Sequence, residues 1–150
     1  MIYNKSITAT VYIVKDNRIL LHKHKKYNTW FPVGGHLKPN ELPHEAAIRE
    51  AKEETGLDIV LFETEHVANF DIGRVERIPE PFCLYHEADI DEQFLDFIFI
   101  GISSQQQVAP PLTESQEIRW FSREELETAE IKIHVKNTAL EILNFNFCCL

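Results

Sequence analysis

Glu50, Glu53 and Glu54 stand at positions i, i+3 and i+4, and a helix would set all three carboxylates on one face within a turn of one another. Like charges at that spacing weaken a helix slightly unless something cationic sits between them. A hard divalent cation is one answer, since Mg²⁺ prefers carboxylate oxygens and water and bridges to substrate phosphates. Arg49 adds a permanent charge that can orient one of the glutamates through a bidentate pair. The alternative is a solvated charged face, which is what most charge clusters on helices are.

The elements around the cluster suit the first reading. Pro43 fits a first helical turn, Ala46, Ala47, Ile48 and Ala51 recur at helical spacing, and Gly56 supplies the stop, so a helix is predicted from Pro43 to Thr55. Upstream, the β-branched run ITATVYIV (Ile7 to Val14), the turn Lys15-Asp16-Asn17 and the run from Arg18 to Leu21 predict a β-hairpin. Trp30 to Val33 reads as a strand leading into a turn at Gly34-Gly35. Downstream, Leu57 to Phe70 alternates enough for one or two strands, and Asp71 to Pro81 reads as a loop. Phe82 to His86 and Phe94 to Ile102 predict two more strands, the second apolar enough (FLDFIFIGI) to be central and covered on both faces. Gln105 to Pro111 is a loop, Ile118 to Phe121 a short strand, Ser122 and Glu125 form a capping box, and His134 to Leu143 is amphipathic and helical.

Composition narrows the function classes. A chain of 150 residues that is 44% hydrophobic and 26% charged has the make-up of one packed domain. Fifteen Lys and Arg against 24 Asp and Glu give a net charge of −9, which disfavours binding to a nucleic-acid polymer. A phosphate-bearing substrate then requires local help, which carboxylate-bound cations provide. Cys83, Cys148 and Cys149 form neither a disulfide framework nor a thiolate zinc site. With no long apolar run and no export-type leader, the expectation is a cytoplasmic protein that does not span a membrane.

The stretch GHLKPNELPHEAAIREAKEETGL resembles the signature of the Nudix hydrolases, G-x5-E-x7-R-E-U-x-E-E-x-G-U with U apolar. Gly35, Glu41, Arg49, Glu50, Ala51, Glu53, Glu54, Gly56 and Leu57 fill every specified position, with Ala51 a small version of the usual aliphatic residue. Seven fixed identities would arise by chance in a chain this long with a probability on the order of 10⁻⁶ at average residue usage. The approach Phe31 to Gly35 and the segment Glu117 to Ser122 also look like the family pattern. The resemblance implies a single Nudix domain over residues 1–150 with its box at 35–57. The implied fold is α/β: a Nudix-type α/β/α sandwich whose mixed β-sheet carries the box helix on one face and the C-terminal helix on the other.

For function, the resemblance implies Mg²⁺- or Mn²⁺-dependent hydrolysis of a nucleoside diphosphate linked to another group. Glu50, Glu53 and Glu54 would be metal ligands, joined by Glu114 and the Gly35 carbonyl. Glu53, with Glu50, would carry the catalysis as base and ligand. Glu41, Arg49 and Gly56 would support the box. His22, Lys23 and His24 would hold phosphates, and Phe82, Tyr85 or Asn137 would meet a base. The family tends to mark dinucleoside polyphosphate or ADP-ribose specificity with a tyrosine or proline fifteen to sixteen residues past the box, where this chain has Ile72 and Gly73. The family's signatures for NADH and coenzyme A cleavage are also absent, so the resemblance leaves a MutT-like nucleoside triphosphate pyrophosphohydrolase or an NDP-sugar hydrolase; the triphosphate reading is taken first, with an NDP-sugar or ADP-ribose hydrolase as the alternative. A Nudix module that senses nucleotides without turnover, and an acidic interaction domain, are readings of another class. The resemblance is compatible with a monomer or a homodimer acting on a small nucleotide.

Overall fold

A computed structural model describes residues 5–63, 73, 75–88, 92–105, 108, 115–145 and 147. Strands β1 (Lys5–Lys15) and β2 (Arg18–His24) form the expected antiparallel hairpin. Asp16 and Asn17 make its turn with φ values of 47° and 57°, the left-handed pair that matches strand twist in a two-residue loop. Short β3 (Thr29–Phe31) pairs with β2, and β4 (Val33–His36) pairs with β1. After α1 (Pro43–Thr55) come β5 (Val60–Leu61), β6 (Cys83–Ala88), β7 (Gln93–Ile102) and β8 (Ser115–Phe121). Helices α2 (Arg123–Thr128) and α3 (Ile133–Ile142) follow. Among the described residues the strands form one mixed sheet in which β7 runs parallel to β1 and every other pairing is antiparallel.

Alternation along the two central strands divides the interior in two. Ala9, Val11 and Ile13 of β1 and Phe99 of β7 pack with Ala46, Ala47 and Ala51 of α1. Tyr12 and Val14 of β1 and Ile98 and Ile100 of β7 point the other way, to Leu126 of α2 and Val135, Ala139 and Ile142 of α3. A strand covered on both faces needs apolar residues at nearly every position, which is why these two read as continuous hydrophobic runs. The expected α/β/α layering and mixed sheet are therefore present. No helix among the described residues is long and apolar enough to cross a membrane.

Two expectations change in detail. Gly34 and Gly35 do not turn the chain; they lie inside β4, paired with Thr10 and Ala9 of β1, and neither has a positive φ. They are needed for close approach: a Cβ on Gly34 would stand 2.6 Å from the Ala9 carbonyl oxygen and 2.9 Å from the Thr10 Cα. Ile48 is 40% exposed and does not belong to the buried face of α1, because it lies about 100° beyond Ala47, past the alanine stripe. Those small residues bring α1 close to the sheet, and the helix stops where expected, at Gly56 with φ 75° and its N–H bonded to the Lys52 carbonyl at 3.0 Å. The Ser122–Glu125 capping box forms as read. Of the strands expected between Leu57 and Phe70, β5 is the described part; residues 64–70 lie outside the described residues.

Candidate active site

The Arg49 guanidinium organises the start of the site. Its Nε and Nη2 donate to the two oxygens of Glu41 at 2.6 and 3.0 Å, and Nη2 also reaches the His36 carbonyl at 3.2 Å. Its Nη1 donates to Glu50 Oε1 at 2.6 Å and to Glu53 Oε2 at 2.9 Å. The two-pronged pair is thus made with Glu41 of the preceding loop and not with a helix glutamate, which ties that loop to α1. Glu41 also accepts the Lys38 backbone N–H at 2.8 Å, and the Arg49 side chain is the main cause that holds its carboxyl down at about 2. Glu41, in turn, is the first cause raising Arg49 above its ordinary range. Lys38 Nζ donates to Glu53 Oε1 at 3.2 Å, and this bond, then Arg49, keeps Glu53 ionised below the usual carboxylate range. The repulsion expected along α1 is therefore relieved partly from within the chain, by Arg49 and Lys38.

Glu50 rests against Gly35, where an added Cβ would fall 2.5 Å from Glu50 Oε1. The missing side chain makes the room in which that carboxylate sits. One turn along, Glu54 lines a cavity of about 390 Å³ that Gly34 and Gly35 also border. Thr8, Thr10 and Tyr12 of β1 and Asp96 and Ile98 of β7 line it from the sheet, His22 and His24 from β2, and Tyr85 and His134 from β6 and α3. Tyr27 and Phe31 line it too, their rings 5.9 Å apart, with the His24 ring 4.9 Å from Tyr27. A row of carboxylates thus ends at an aromatic, partly polar pocket large enough for a nucleoside-sized group.

The family model that describes the NUDIX domain matches residues 4–140. The chain belongs to the Nudix family. It is 32% identical to a hydrolase of the NUDIX family from Clostridium perfringens, over 94% of this chain and 97% of that one, with a TM-score of 0.82. It shares the fold of a MutT NUDIX hydrolase from Burkholderia pseudomallei at 19% identity and TM-score 0.68, covering 92% of this chain and 97% of that one. A MutT protein from Methanosarcina mazei matches at 18% identity and TM-score 0.71, covering 96% of each chain. The protein is an enzyme of this family, a Nudix pyrophosphohydrolase.

The Nudix box residues fit a hard divalent cation, the kind of metal the family generally uses. Among the described residues no three His, Cys, Asp or Glu side chains close into a ready cage. The donors at hand are all oxygens, however, and Mg²⁺ takes one or two carboxylates and keeps several waters. The space left by Gly35 for the Glu50 carboxylate is consistent with such a cradle. Glu114, expected to add a ligand, lies outside the described residues.

The residues expected to bind substrate divide. His22, His24 and Tyr85 line the cavity; Lys23, Phe82 and Asn137 do not. Lys23 alternates to the other side of β2 from its neighbours. Phe82 packs into the core beside Phe145, their ring centroids 5.8 Å apart, and Asn137 is exposed on α3. His22 is buried rather than facing solvent, with Nδ1 2.8 Å from Ser115 Oγ. The Tyr85 hydroxyl bonds to the Thr138 hydroxyl.

Sequence reasoning missed Asp96, the buried carboxylate of the cavity. The signal was present: a lone acid within FLDFIFIGI is anomalous in a strand covered on both faces. Burial pushes its carboxyl up to about 6, and the Thr10 and Thr8 hydroxyls pull it part of the way back.

Proposed function

We propose that this Nudix enzyme hydrolyses a phosphoanhydride bond of a nucleoside diphosphate linked to another group, with a nucleoside triphosphate as favoured substrate in the manner of MutT. An NDP-sugar or ADP-ribose is the alternative. The observation that carries the reading is the braced carboxylate row of α1, which runs from Glu53 and Glu50 to Glu54 at the edge of a nucleoside-sized cavity.

When bound, Mg²⁺ or Mn²⁺ supplies the positive charge that offsets phosphate oxygens. Glu50, Glu53 and Glu54, with the Gly35 carbonyl and Glu114, are the groups assigned to hold it. Glu53 is ionised at neutral pH and half exposed, so it can take a proton from the attacking water. Arg49 and Glu41 fix where the carboxylates stand and make no contact with substrate. Lys132 lies 5.0 Å over the Phe31 ring and Lys26 5.2 Å over Tyr27, which supplies local positive charge beside the cavity in a chain of net charge −9. His24 and His22 face the same space and can donate to phosphate oxygens. Tyr27, Phe31 and Tyr85 offer ring surface for the organic part of the substrate.

The test is phosphate release, with and without Mg²⁺ and a coupling pyrophosphatase, across nucleoside triphosphates, oxidised triphosphates, NDP-sugars, ADP-ribose and dinucleoside polyphosphates. Metal-dependent turnover of the triphosphates supports the reading, and turnover confined to another class moves the assignment to it. Nucleotide binding with no turnover anywhere in the panel would replace hydrolysis with sensing.

A further inference from the structure

Asp96 sits where a carboxylate is hard to justify by packing alone. It lies midway along β7, in register with Thr8 of parallel β1, and is 9% exposed at the cavity. Thr8 Oγ1 donates to Oδ1 at 2.9 Å and Thr10 Oγ1 to Oδ2 at 2.8 Å. Among the described residues no lysine, arginine or histidine forms an ion pair with it, and Glu87 adds like charge. A buried carboxylate with no cation beside it is costly, and an apolar or amide side chain of similar size would fill the space at less cost. The two threonines leave it half satisfied: a carboxylate has about four acceptor positions, and each hydroxyl fills one, so each oxygen retains one.

We infer that Asp96 determines specificity by accepting, one on each oxygen, two adjacent hydrogen-bond donors of the substrate held in the cavity. The inference rests on the nucleotide reading above and names the part of the nucleotide that is recognised. Two parts of a nucleotide carry such a pair. Guanine sets a ring N–H beside an amino group, and ribose sets its 2′ and 3′ hydroxyls side by side. Adenine and cytosine place an acceptor next to their amino donor, and uracil flanks its N–H with two carbonyls, so none of their edges matches two acceptors. The nearby rings of Tyr27 and Phe31 suit either a flat base or the C–H face of a sugar. Thr8 and Thr10 are positioning residues, since their hydroxyls hold the carboxylate plane in place.

The test is calorimetric binding of GMP, IMP and 2′-deoxy-GMP, with Mg²⁺, to the wild-type protein and to Asp96→Asn. IMP lacks the amino donor and deoxy-GMP lacks one hydroxyl. Reading of the base predicts that IMP binds about tenfold or more weakly than GMP with deoxy-GMP unaffected, and reading of the ribose predicts the reverse. In either case Asp96→Asn, which has one donor and one acceptor, must erase the difference. Equal binding of all three ligands, binding of none, or discrimination that survives in Asp96→Asn overturns the inference. The ligand comparison on the wild-type protein stands even where the variant does not fold. Because no step requires turnover, absent hydrolysis would count against the proposed activity and leave the assignment of Asp96 readable.

Discussion

Replacing Asp96 with asparagine is expected to stabilise the fold at neutral pH, although the residue lies at the centre of the cavity. The folded carboxyl titrates at about 6 against an ordinary 3.8. A group whose folded pKa is raised contributes its full stability below the unfolded pKa and loses it as pH rises through the folded one. For Asp96 the loss begins near 3.8 and is complete somewhat above 6. At about 1.4 kcal/mol per pH unit, the ionised side chain lowers stability by about 3 kcal/mol at pH 8, and by less than about 1 kcal/mol at pH 4. Asparagine keeps the shape and can bond to Thr8 and Thr10, whose hydroxyls donate or accept, but it has no charge to desolvate. Urea unfolding of both proteins across pH 4 to 8 should show the variant gaining on the wild type by about 2 kcal/mol over that range, equivalent to several degrees in Tm. A stability difference that stays flat with pH, or a variant weaker than wild type at pH 8, would refute the claim that burial of an uncompensated charge sets this carboxyl.

Other expectations bear on the box. Glu53→Gln should lower kcat by about 10²-fold or more while the fold is kept and Tm falls only slightly, since the ion pairs it gives up with Arg49 and Lys38 involve a half-exposed carboxylate; turnover within a few-fold of wild type would end its assignment as base. The paired glycines should behave differently. Gly34→Ala drives a Cβ into backbone and should cost about 1–3 kcal/mol in chemical denaturation, whereas Gly35→Ala meets only the mobile end of Glu50 and should fold normally while losing turnover. Glu41 has a depressed pKa, so its contribution is present above about 4.5 and fades as pH falls toward 2; Glu41→Gln should remove that part of the acid sensitivity, measured by the pH of half-unfolding.

The local chemistry of the chain made the box helix legible to the residue: proline at its start, glycine at its end and glutamates spaced by the turn. The hairpin was equally plain, because asparagine and aspartate at a two-residue turn fix both its place and its hand. What could not be read was which residues meet across long separations. Arg49 could be expected to grip a glutamate, but that it grips Glu41 through both prongs depends on how the loop folds back on α1. Gly34 and Gly35 looked like a turn because glycine usually marks one; here the constraint comes from β1 and from Glu50, which are distant in sequence. Asp96 stayed hidden because its partners, Thr8 and Thr10, are read as ordinary strand residues until β1 and β7 are laid side by side. Phe82 and Asn137 differ from Tyr85 only in tertiary placement, since Phe82 packs into the core and Asn137 stands exposed on α3, and neither lines the cavity.

The pairing of β1 with β7 also bears on the order in which the molecule can assemble. The Thr8–Asp96 hydrogen bond closes a separation of 88 residues, while the hairpin, β4 and α1 all fall within the first 55 positions. A ribosome delivering this chain exposes the glutamate-bearing helix and its arginine brace well before the strand that completes the pocket floor. Closing so long a loop is entropically unfavourable until the strands on both sides can reward it. The nascent chain therefore carries Glu50, Glu53, Glu54 and their Arg49 brace before it carries Asp96, so the strand assigned to selecting a ligand is laid against a box helix that has already emerged, while Glu114 and the α3 wall of the cavity emerge later still.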